Sequence, residues 1–126
     1  MIDRHRVLVI EDDPMIRDVL VEVLADHGYE AVGAANGREA LDTLAQPDDP
    51  PCVILLDLMM PVMDGHSFRQ EQLQSPELSD IPVVVISAFV DQTATDELHA
   101  DDYLKKPVRL HEVLGAVRRH CQPSSG

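Results

Sequence analysis

Three runs of consecutive apolar residues, separated by segments of helical periodicity, most strongly constrain the fold of this 126-residue chain. The runs are Val7–Ile10, Val53–Leu56 and Pro82–Ile86. Continuous apolar strands are typical of parallel sheets, because helices cover both faces of such a sheet and exclude water from it. Shorter strand candidates lie at Glu30–Ala34 and around Tyr103–Leu104, so the sequence predicts five strands.

Helix signals lie between and after these strands. Asp13 and Pro14 fit the N-cap and the first position of a helix, and Gly28 fits its end. Later helices are predicted after Asn36 and Gly65, weakly over Asp91–His99, and from Leu110. The alternation of strand and helix predicts an α/β fold, a doubly wound parallel sheet with right-handed crossovers and helices on both faces.

The charge balance excludes two broad classes of partner. The chain carries 23 acidic and 10 basic residues, a formal net charge of −13. Nucleic-acid backbones and anionic membrane surfaces attract clustered Lys and Arg, so neither is expected as the main partner. The excess of acid is compatible with a metal cation or a basic protein surface.

The two cysteines, Cys52 and Cys121, are too few for a disulfide framework and indicate a reducing, cytoplasmic setting. Cys52 opens an apolar run and is interpreted as a small buried residue. The polar segment Asp3–Arg6 interrupts any early apolar stretch of signal-peptide or membrane-span length. We therefore expect a cytoplasmic domain without a membrane partner.

Residues capable of chemistry follow four of the predicted strands. They are Glu11 and Asp12 after the first strand, Asp57 after the third, Ser87 after the fourth and Lys105–Pro107 after the fifth. Sites in open α/β sheets lie at the carboxyl ends of the strands, so these groups are expected to meet. Crowded carboxylates repel unless a cation joins them or their pKa values rise, and oxygen ligands suit Mg²⁺.

Asp57 is the most informative of these residues. It follows four apolar residues on the predicted central strand, where an isolated charge has no structural purpose. A carboxylate can attack phosphorus and form an aspartyl-phosphate, while a metal, a lysine and a hydroxyl offset or bind the phosphoryl oxygens. Glu11 and Asp12 are then candidates to hold the metal, and Asp13 is better explained as the helix cap.

The motifs at these positions resemble those of response-regulator receiver domains. The similarity extends from about Arg6 to Cys121 and depends on four segments in the same order, namely Val7–Pro14, Ile54–Gly65, Pro82–Ala88 and Asp101–Pro107. It implies a flavodoxin-like (βα)5 receiver domain over residues 1–121, with strand order 2-1-3-4-5. Residues 122–126 are then a flexible tail or the start of a linker.

The resemblance also implies a role for each acidic residue of the site. Asp57 would be the phosphoacceptor, charged by a histidine kinase or a histidine phosphotransfer protein. Asp12 would be a direct Mg²⁺ ligand, and Glu11 would act through water. The backbone carbonyl of Met59 would be a further ligand. The domain would assist only its own phosphorylation and dephosphorylation, and would not be an enzyme acting on a separate substrate.

Four further residues take their roles from the same resemblance. Ser87 stands at the switch hydroxyl position and Tyr103 at the aromatic switch position. Lys106 would contact the phosphoryl group, and the bond between Lys106 and Pro107 is usually cis in the family. Phosphorylation would attract the Ser87 hydroxyl and let Tyr103 turn. The surface of the fourth helix, fifth strand and fifth helix would then change and bind a downstream protein.

The sequence departs from the family pattern in two places. Tyr103 follows Ser87 by 16 positions (103 − 87), about three fewer than usual, which removes roughly one helical turn. The predicted fourth helix at Asp91–His99 is therefore expected to be short, displaced or mobile. Met59 and Phe89 are apolar where they would flank the site, and we hypothesise that they slow dephosphorylation.

Two other functions fit parts of the pattern. One is an adaptor of the same fold that works without phosphorylation, which the altered fourth-helix region would allow. The other is an Asp-nucleophile phosphatase of the haloacid-dehalogenase kind. Such enzymes carry a second Asp two residues after the nucleophile, where this chain has Met59, and they need a cap and a longer chain.

Overall fold

Five parallel strands form one sheet in the computed structural model, which describes residues 6–45, 51–57, 65–76, 78–87 and 100–121. The strands are β1 (Arg6–Ile10), β2 (Glu30–Ala34), β3 (Val53–Asp57), β4 (Val83–Ser87) and β5 (Asp102–Lys105). Their spatial order is β2-β1-β3-β4-β5, and every neighbouring pair is parallel. The predicted sheet and its strand order are confirmed.

Four helices lie in the described parts of the chain, namely α1 (Pro14–Asp26), α2 (Gly37–Leu44), α3 (Gly65–Gln74) and α4 (Leu110–His120). Helix α4 is the fifth helix of the sequence prediction. The predicted fourth helix, Asp91–His99, and the predicted tail, 122–126, lie outside the described residues. None of the described helices has the length and apolar character needed to cross a bilayer.

The helix starts and stops follow the sequence signals. The side chain of Asp13 accepts hydrogen bonds from the backbone N–H groups of Met15 (2.9 Å) and Ile16 (3.3 Å). Asn36 caps α2 in the same way through the N–H of Glu39 (2.9 Å). Gly28 follows α1 with φ of 91°, a left-handed conformation that favours glycine. These local contacts place the start of α1 directly after the end of β1.

Alternating strand residues supply two apolar layers, one on each face of the sheet. Val7, Val9, Val53 and Leu55 pack against α1 and α4, whereas Leu8, Ile10, Ile54 and Leu56 pack against α2 and α3. Successive side chains of a strand point to opposite faces, so an uninterrupted apolar strand requires helices on both. The core is largely aliphatic, and Phe68 of α3 is its largest fully buried side chain.

A disulfide joins Cys52 to Cys121, whose Cα atoms are 5.4 Å apart. The interpretation of Cys52 as a small buried residue is therefore wrong, because its side chain is only partly buried and its sulfur is bonded to that of Cys121. The two cysteines are 69 positions apart in the sequence, and they meet because α4 ends beside the start of β3. No local sequence pattern predicts a contact between residues so far apart in the chain.

Replacing Phe68 with alanine should lower the free energy of unfolding by about 3–5 kcal/mol, because the ring is fully buried between α3 and the sheet. Urea denaturation measures the loss. Leu73 lies on the same helix with 41% of its surface exposed, so Leu73→Ala should cost less than about 1 kcal/mol. Equal losses for the two variants would contradict the described packing of α3.

Candidate functional site

Three carboxylates meet at the carboxyl ends of β1 and β3. These strands are neighbours in parallel register, with Ile10 opposite Leu56, so the residues that follow them, Glu11 and Asp57, lie side by side. One carboxylate oxygen from each of Glu11, Asp12 and Asp57 lies within 4.8 Å of the other two. Glu11 and Asp57 are buried and Asp12 is exposed, so the cluster has one open side.

Lys106 supplies the positive charge at this cluster. Its Nζ is 3.2 Å from Oδ2 of Asp57 and 3.7 Å from Oε1 of Glu11. The backbone N–H of Lys106 donates to the carbonyl of Ser87 (2.9 Å), which holds the residue beside the end of β4. The Lys106–Pro107 peptide bond is cis. The structure therefore places the lysine before Pro107, and not Lys105, against the carboxylates.

Ser87 is the last residue of β4 and is buried, with 3% of its surface exposed. It follows Ile86, which pairs in register with Asp57, and so it stands at the same edge of the sheet as the carboxylates. The other predicted groups near this edge, Met59 and Phe89, lie outside the described residues.

Tyr103 lies in β5, partly buried against the apolar layer that contacts α2 and α3. Its hydroxyl accepts a hydrogen bond from the N–H of Ala100 (3.2 Å). It pairs in register with Val85, two residues before Ser87. The predicted switch tyrosine therefore lies two strands from Asp57, with β4 between β3 and β5, on the face of the sheet that α2 and α3 cover.

The sequence did not predict the role of Arg17, a residue of α1 that holds the backbone of Glu11 in place. Its Nη1 donates to the backbone carbonyl of Glu11 (2.9 Å), and its side chain lies across Gly33 of β2. A Cβ at position 33 would come within 3.0 Å of the Arg17 side chain. Gly33 thus leaves room for the arginine that holds the Glu11 backbone, a contact between helix and strand that periodicity does not reveal.

A buried polar pair in α3 was also missed. Arg69 donates from Nη1 to Oε1 of Gln72 (2.7 Å), and Gln72 donates from Nε2 to the carbonyls of Leu78 (2.9 Å) and Ile81 (3.0 Å). Burial lowers the pKa of Arg69, and the nearby Asp101 and Tyr103 partly oppose that change. The signal in the sequence was a helix with few apolar positions, which indicates polar groups on its inner face.

The pKa of Glu11 is raised from the ordinary value of 4.5 to about 8. Burial of the carboxyl is the largest cause, and hydrogen bonds to Asp57 and Asp12 act in the same direction. The N–H of Asp13, which donates to Glu11 Oε2 (3.2 Å), opposes them. Without a metal ion, a proton on Glu11 therefore relieves the repulsion among the three carboxylates. A hard divalent cation suits the same all-oxygen donor set.

An apolar pocket of about 490 Å³ opens beside this cluster. Glu11 and Lys106 form part of its wall, and the rest is Ile16, Leu20, Ile86, Pro107 and Val108. Four large apolar side chains are exposed on the two helices nearest these lining residues in the sequence: Met15 (77%), Ile16 (43%) and Val19 (47%) on α1, and Leu110 (44%) at the start of α4. We call these four residues the α1 patch. They expose apolar surface next to charged groups.

The chain matches the family model described as the response regulator receiver domain over residues 7–118. It belongs to this family. Among curated proteins, response regulator MprA of Mycolicibacterium vanbaalenii is 39% identical over 127 residues, covering 96% of this chain and 53% of MprA. The receiver chain thus spans about half the length of the curated relatives it matches.

Two solved structures show the same fold. The chemotaxis protein CheY4 of Vibrio cholerae superposes with a TM-score of 0.84 at 29% identity, covering 91% of this chain and 97% of CheY4. The receiver domain of the sensor histidine kinase PA1611 of Pseudomonas aeruginosa gives 0.80 at 26% identity, covering 92% and 96% of the two chains. That domain is described with a magnesium ion coordinated in its active-site cleft.

The raised pKa of Glu11 predicts a pH-dependent stability. Between pH 4.5 and about 8 the folded chain retains a proton on Glu11 that the unfolded chain has released. The free energy of unfolding of the metal-free protein should therefore fall as the pH rises through this range. Urea denaturation in the presence of a chelator, at several pH values, measures the slope.

Glu11→Gln replaces the protonated carboxyl with a neutral group of similar size and should remove this part of the slope. Glu22→Gln changes an exposed residue of α1 and should leave it in place. A full slope in the Glu11→Gln variant would show that another group is responsible.

Proposed function

We propose that this receiver domain is a phosphoacceptor of a two-component system, which takes a phosphoryl group onto Asp57 from a histidine kinase or a histidine phosphotransfer protein. The observation that carries the proposal is the contact between Asp57 and Lys106. Asp57 is buried at the end of β3, the middle strand of five, and the Lys106 ammonium lies 3.2 Å from its carboxylate. This arrangement fits a nucleophile that must accept a negatively charged group.

The proposed transfer is a displacement at phosphorus. A carboxylate oxygen of Asp57 forms the new P–O bond, the P–N bond to the donor histidine breaks, and the imidazole leaves with the electron pair. Lys106 offsets negative charge on the phosphoryl oxygens, and the Ser87 hydroxyl binds one of them. The exposed side of the cluster, at Asp12, is where a donor can approach.

Mg²⁺ is the proposed cofactor. Asp12 and Asp57 are proposed as direct ligands, Glu11 as a ligand through water, and the Met59 carbonyl as a further ligand. Three carboxylate oxygens within 4.8 Å of one another and the magnesium reported for the PA1611 domain support this assignment. When bound, the ion supplies positive charge that stabilises the phosphoryl oxygens during transfer.

The proposed output is a change in the surface formed by the segment Asp91–His99, β5 and α4, to which a downstream protein binds. Ser87 and Tyr103 would transmit the change. The two residues lie on adjacent paired strands, and the Tyr103 hydroxyl accepts a hydrogen bond from the N–H of Ala100. The receiver domain is proposed to comprise residues 1–121 and to be followed by a tail or linker at 122–126. Its proposed location is the cytoplasm, where ATP-dependent kinases act.

The phosphodonor protein is proposed to dock on the α1 patch. The donor must bring its phosphohistidine to Asp57, and the pocket beside the patch shares Glu11 and Lys106 with the site. Ile16 lines this pocket, and Met15 and Val19 are exposed on the same helix, so a protein that reaches Asp57 from this side can contact them. Their exposed apolar surface offers a favourable burial on association.

Asp57→Ala should abolish labelling of the chain by acetyl phosphate in the presence of Mg²⁺, because the attacking oxygen is gone. Phosphoprotein electrophoresis or intact mass spectrometry measures the labelling. Asp18→Ala removes an exposed carboxylate from α1 and should label like the unaltered chain. Labelling of the Asp57→Ala variant at one stoichiometric site would overturn the assignment of the phosphoacceptor.

Val19→Glu should slow phosphotransfer from a histidine kinase by about tenfold or more, because it places a charge in the α1 patch. The kinase is one chosen from a panel for its ability to phosphorylate the unaltered chain. Labelling by acetyl phosphate, which needs no protein docking, should stay unchanged. Leu73→Glu, at an exposed leucine of α3, is the matched control, and an equal loss in that variant would contradict docking at the patch.

A further inference from the structure

The disulfide lies at the edge of the sheet opposite the carboxylates. Cys52 immediately precedes β3, whose other end is Asp57, and Cys121 immediately follows α4. The Cα atoms of the two cysteines are 5.4 Å apart, within the range that a disulfide spans without backbone movement. The bond therefore connects the end of α4 to the start of the central strand.

Other contacts already hold the end of α4 in place. The Tyr29 hydroxyl donates to the carbonyl of Cys121 (3.1 Å), and Arg119 forms an ion pair with Asp102 of β5. Val113 and Val117 are buried against the sheet. Because these contacts do not involve the sulfur atoms, α4 can remain packed when the disulfide is broken.

The surroundings of the two sulfur atoms fit the reduced pair as well. The Sγ of Cys52 is 3.1 Å from the carbonyl oxygen of Arg6, and the Sγ of Cys121 is 4.0 Å from the same oxygen. A thiol can donate to this carbonyl, so an acceptor is in place when the bond is absent. Cys52 is partly exposed and Cys121 is 3% exposed, so a reagent in solution meets Cys52 first.

We propose that Cys52 and Cys121 are a reversible redox pair, and that their disulfide fastens the end of α4 to the start of β3. Disulfides in cytoplasmic proteins are mostly transient and respond to oxidants, so reversibility follows from the proposed location of the chain. The pair does not depend on phosphorylation of Asp57, which lies at the other end of β3.

A low-molecular-weight disulfide such as oxidised glutathione is the proposed oxidant. The Cys52 thiolate attacks one sulfur of that disulfide, forming a mixed disulfide and releasing one glutathione thiolate. The Cys121 thiolate then attacks the sulfur of Cys52 and releases the second glutathione. The two cysteines lose two electrons and two protons, which the two glutathione molecules take up as thiols.

The consequence of oxidation lies in α4. This helix begins a few residues after Lys106 and ends at His120, directly before Cys121, so it connects the lysine of the site with the redox pair. It also belongs to the proposed output surface. A covalent link at its carboxyl end restricts movement of the helix relative to β3. The link therefore limits the change that phosphorylation can cause in the proposed output surface.

The test uses the whole 126-residue chain, equilibrated with mixtures of reduced and oxidised glutathione without denaturant. Alkylation after acid quenching, followed by mass spectrometry, counts free thiols. The expected result is two thiols in the reduced chain and none in the oxidised monomer. Oxidation should raise the melting temperature by an amount on the order of 10 °C and slow amide exchange in the last turn of α4.

Cys52→Ser should fold and melt like the reduced chain under both conditions, because its position is only partly buried. Cys121→Ser is a second variant that should lack the oxidation-dependent shift. Two alkylatable thiols in the chain after oxidation, or a disulfide found only between chains, would overturn the proposal. Equal amide exchange of α4 in the reduced and oxidised chains would overturn the fastening role.

Discussion

Asp57 is a carboxylate buried at the end of the middle strand, beside a second buried carboxylate at Glu11, and the arrangement of the site follows from this crowding. Two features relieve it. The Lys106 ammonium lies 3.2 Å from Asp57, and the pKa of Glu11 is raised to about 8, which favours the neutral form of that carboxyl. The end of β5, the turn at Pro107 and the start of α1 all hold groups against this cluster. In the proposed function, a metal ion would take over the relief that a proton on Glu11 gives, and the Asp57 carboxylate would become an acyl phosphate.

The rest of the fold provides a rigid support for that charged edge. Apolar strand residues alternate between two layers, and helices cover each layer, so the charged strand ends are supported by aliphatic packing. The polar exceptions lie at the periphery, where Arg69 and Gln72 of α3 satisfy each other and the backbone near Ile81. The charged groups of the site thus lie at the carboxyl ends of the strands, whereas the aliphatic packing that stabilises the fold lies between the sheet and its helices.

Helix α4 runs between the two ends of the parallel strands and connects them. Its first turn follows the loop that carries Lys106, and its last residue precedes Cys121, which is bonded to Cys52 at the amino end of β3. The proposed phosphoacceptor site and the cysteine pair are therefore separated by the length of β3 but connected through one helix. A receiver domain that responds to a phosphodonor at one edge and to an oxidant at the other would combine two signals in the position of that helix.

The sequence by itself determined the strands, the helix starts and the edge at which the site forms. Val7–Ile10 and Val53–Leu56 are apolar throughout because both faces of a parallel sheet are covered, and Asp13 and Asn36 act through hydrogen bonds to residues two or three positions away. Parallel strands all end at one edge, so Glu11 and Asp57 could be brought together without knowledge of any distance.

Only the tertiary structure decided the contacts that depend on how helices pack across the sheet. The pairing of Cys52 with Cys121 spans 69 positions, and the position of Arg17 over Gly33 depends on the placement of α1 against β2. The exposure of the α1 patch and the burial that raises the pKa of Glu11 depend on the same packing. Periodicity reports which face of an element is buried. It does not report which side chain of a distant element fills the space beside it, because that is set by the three-dimensional packing of helices and loops.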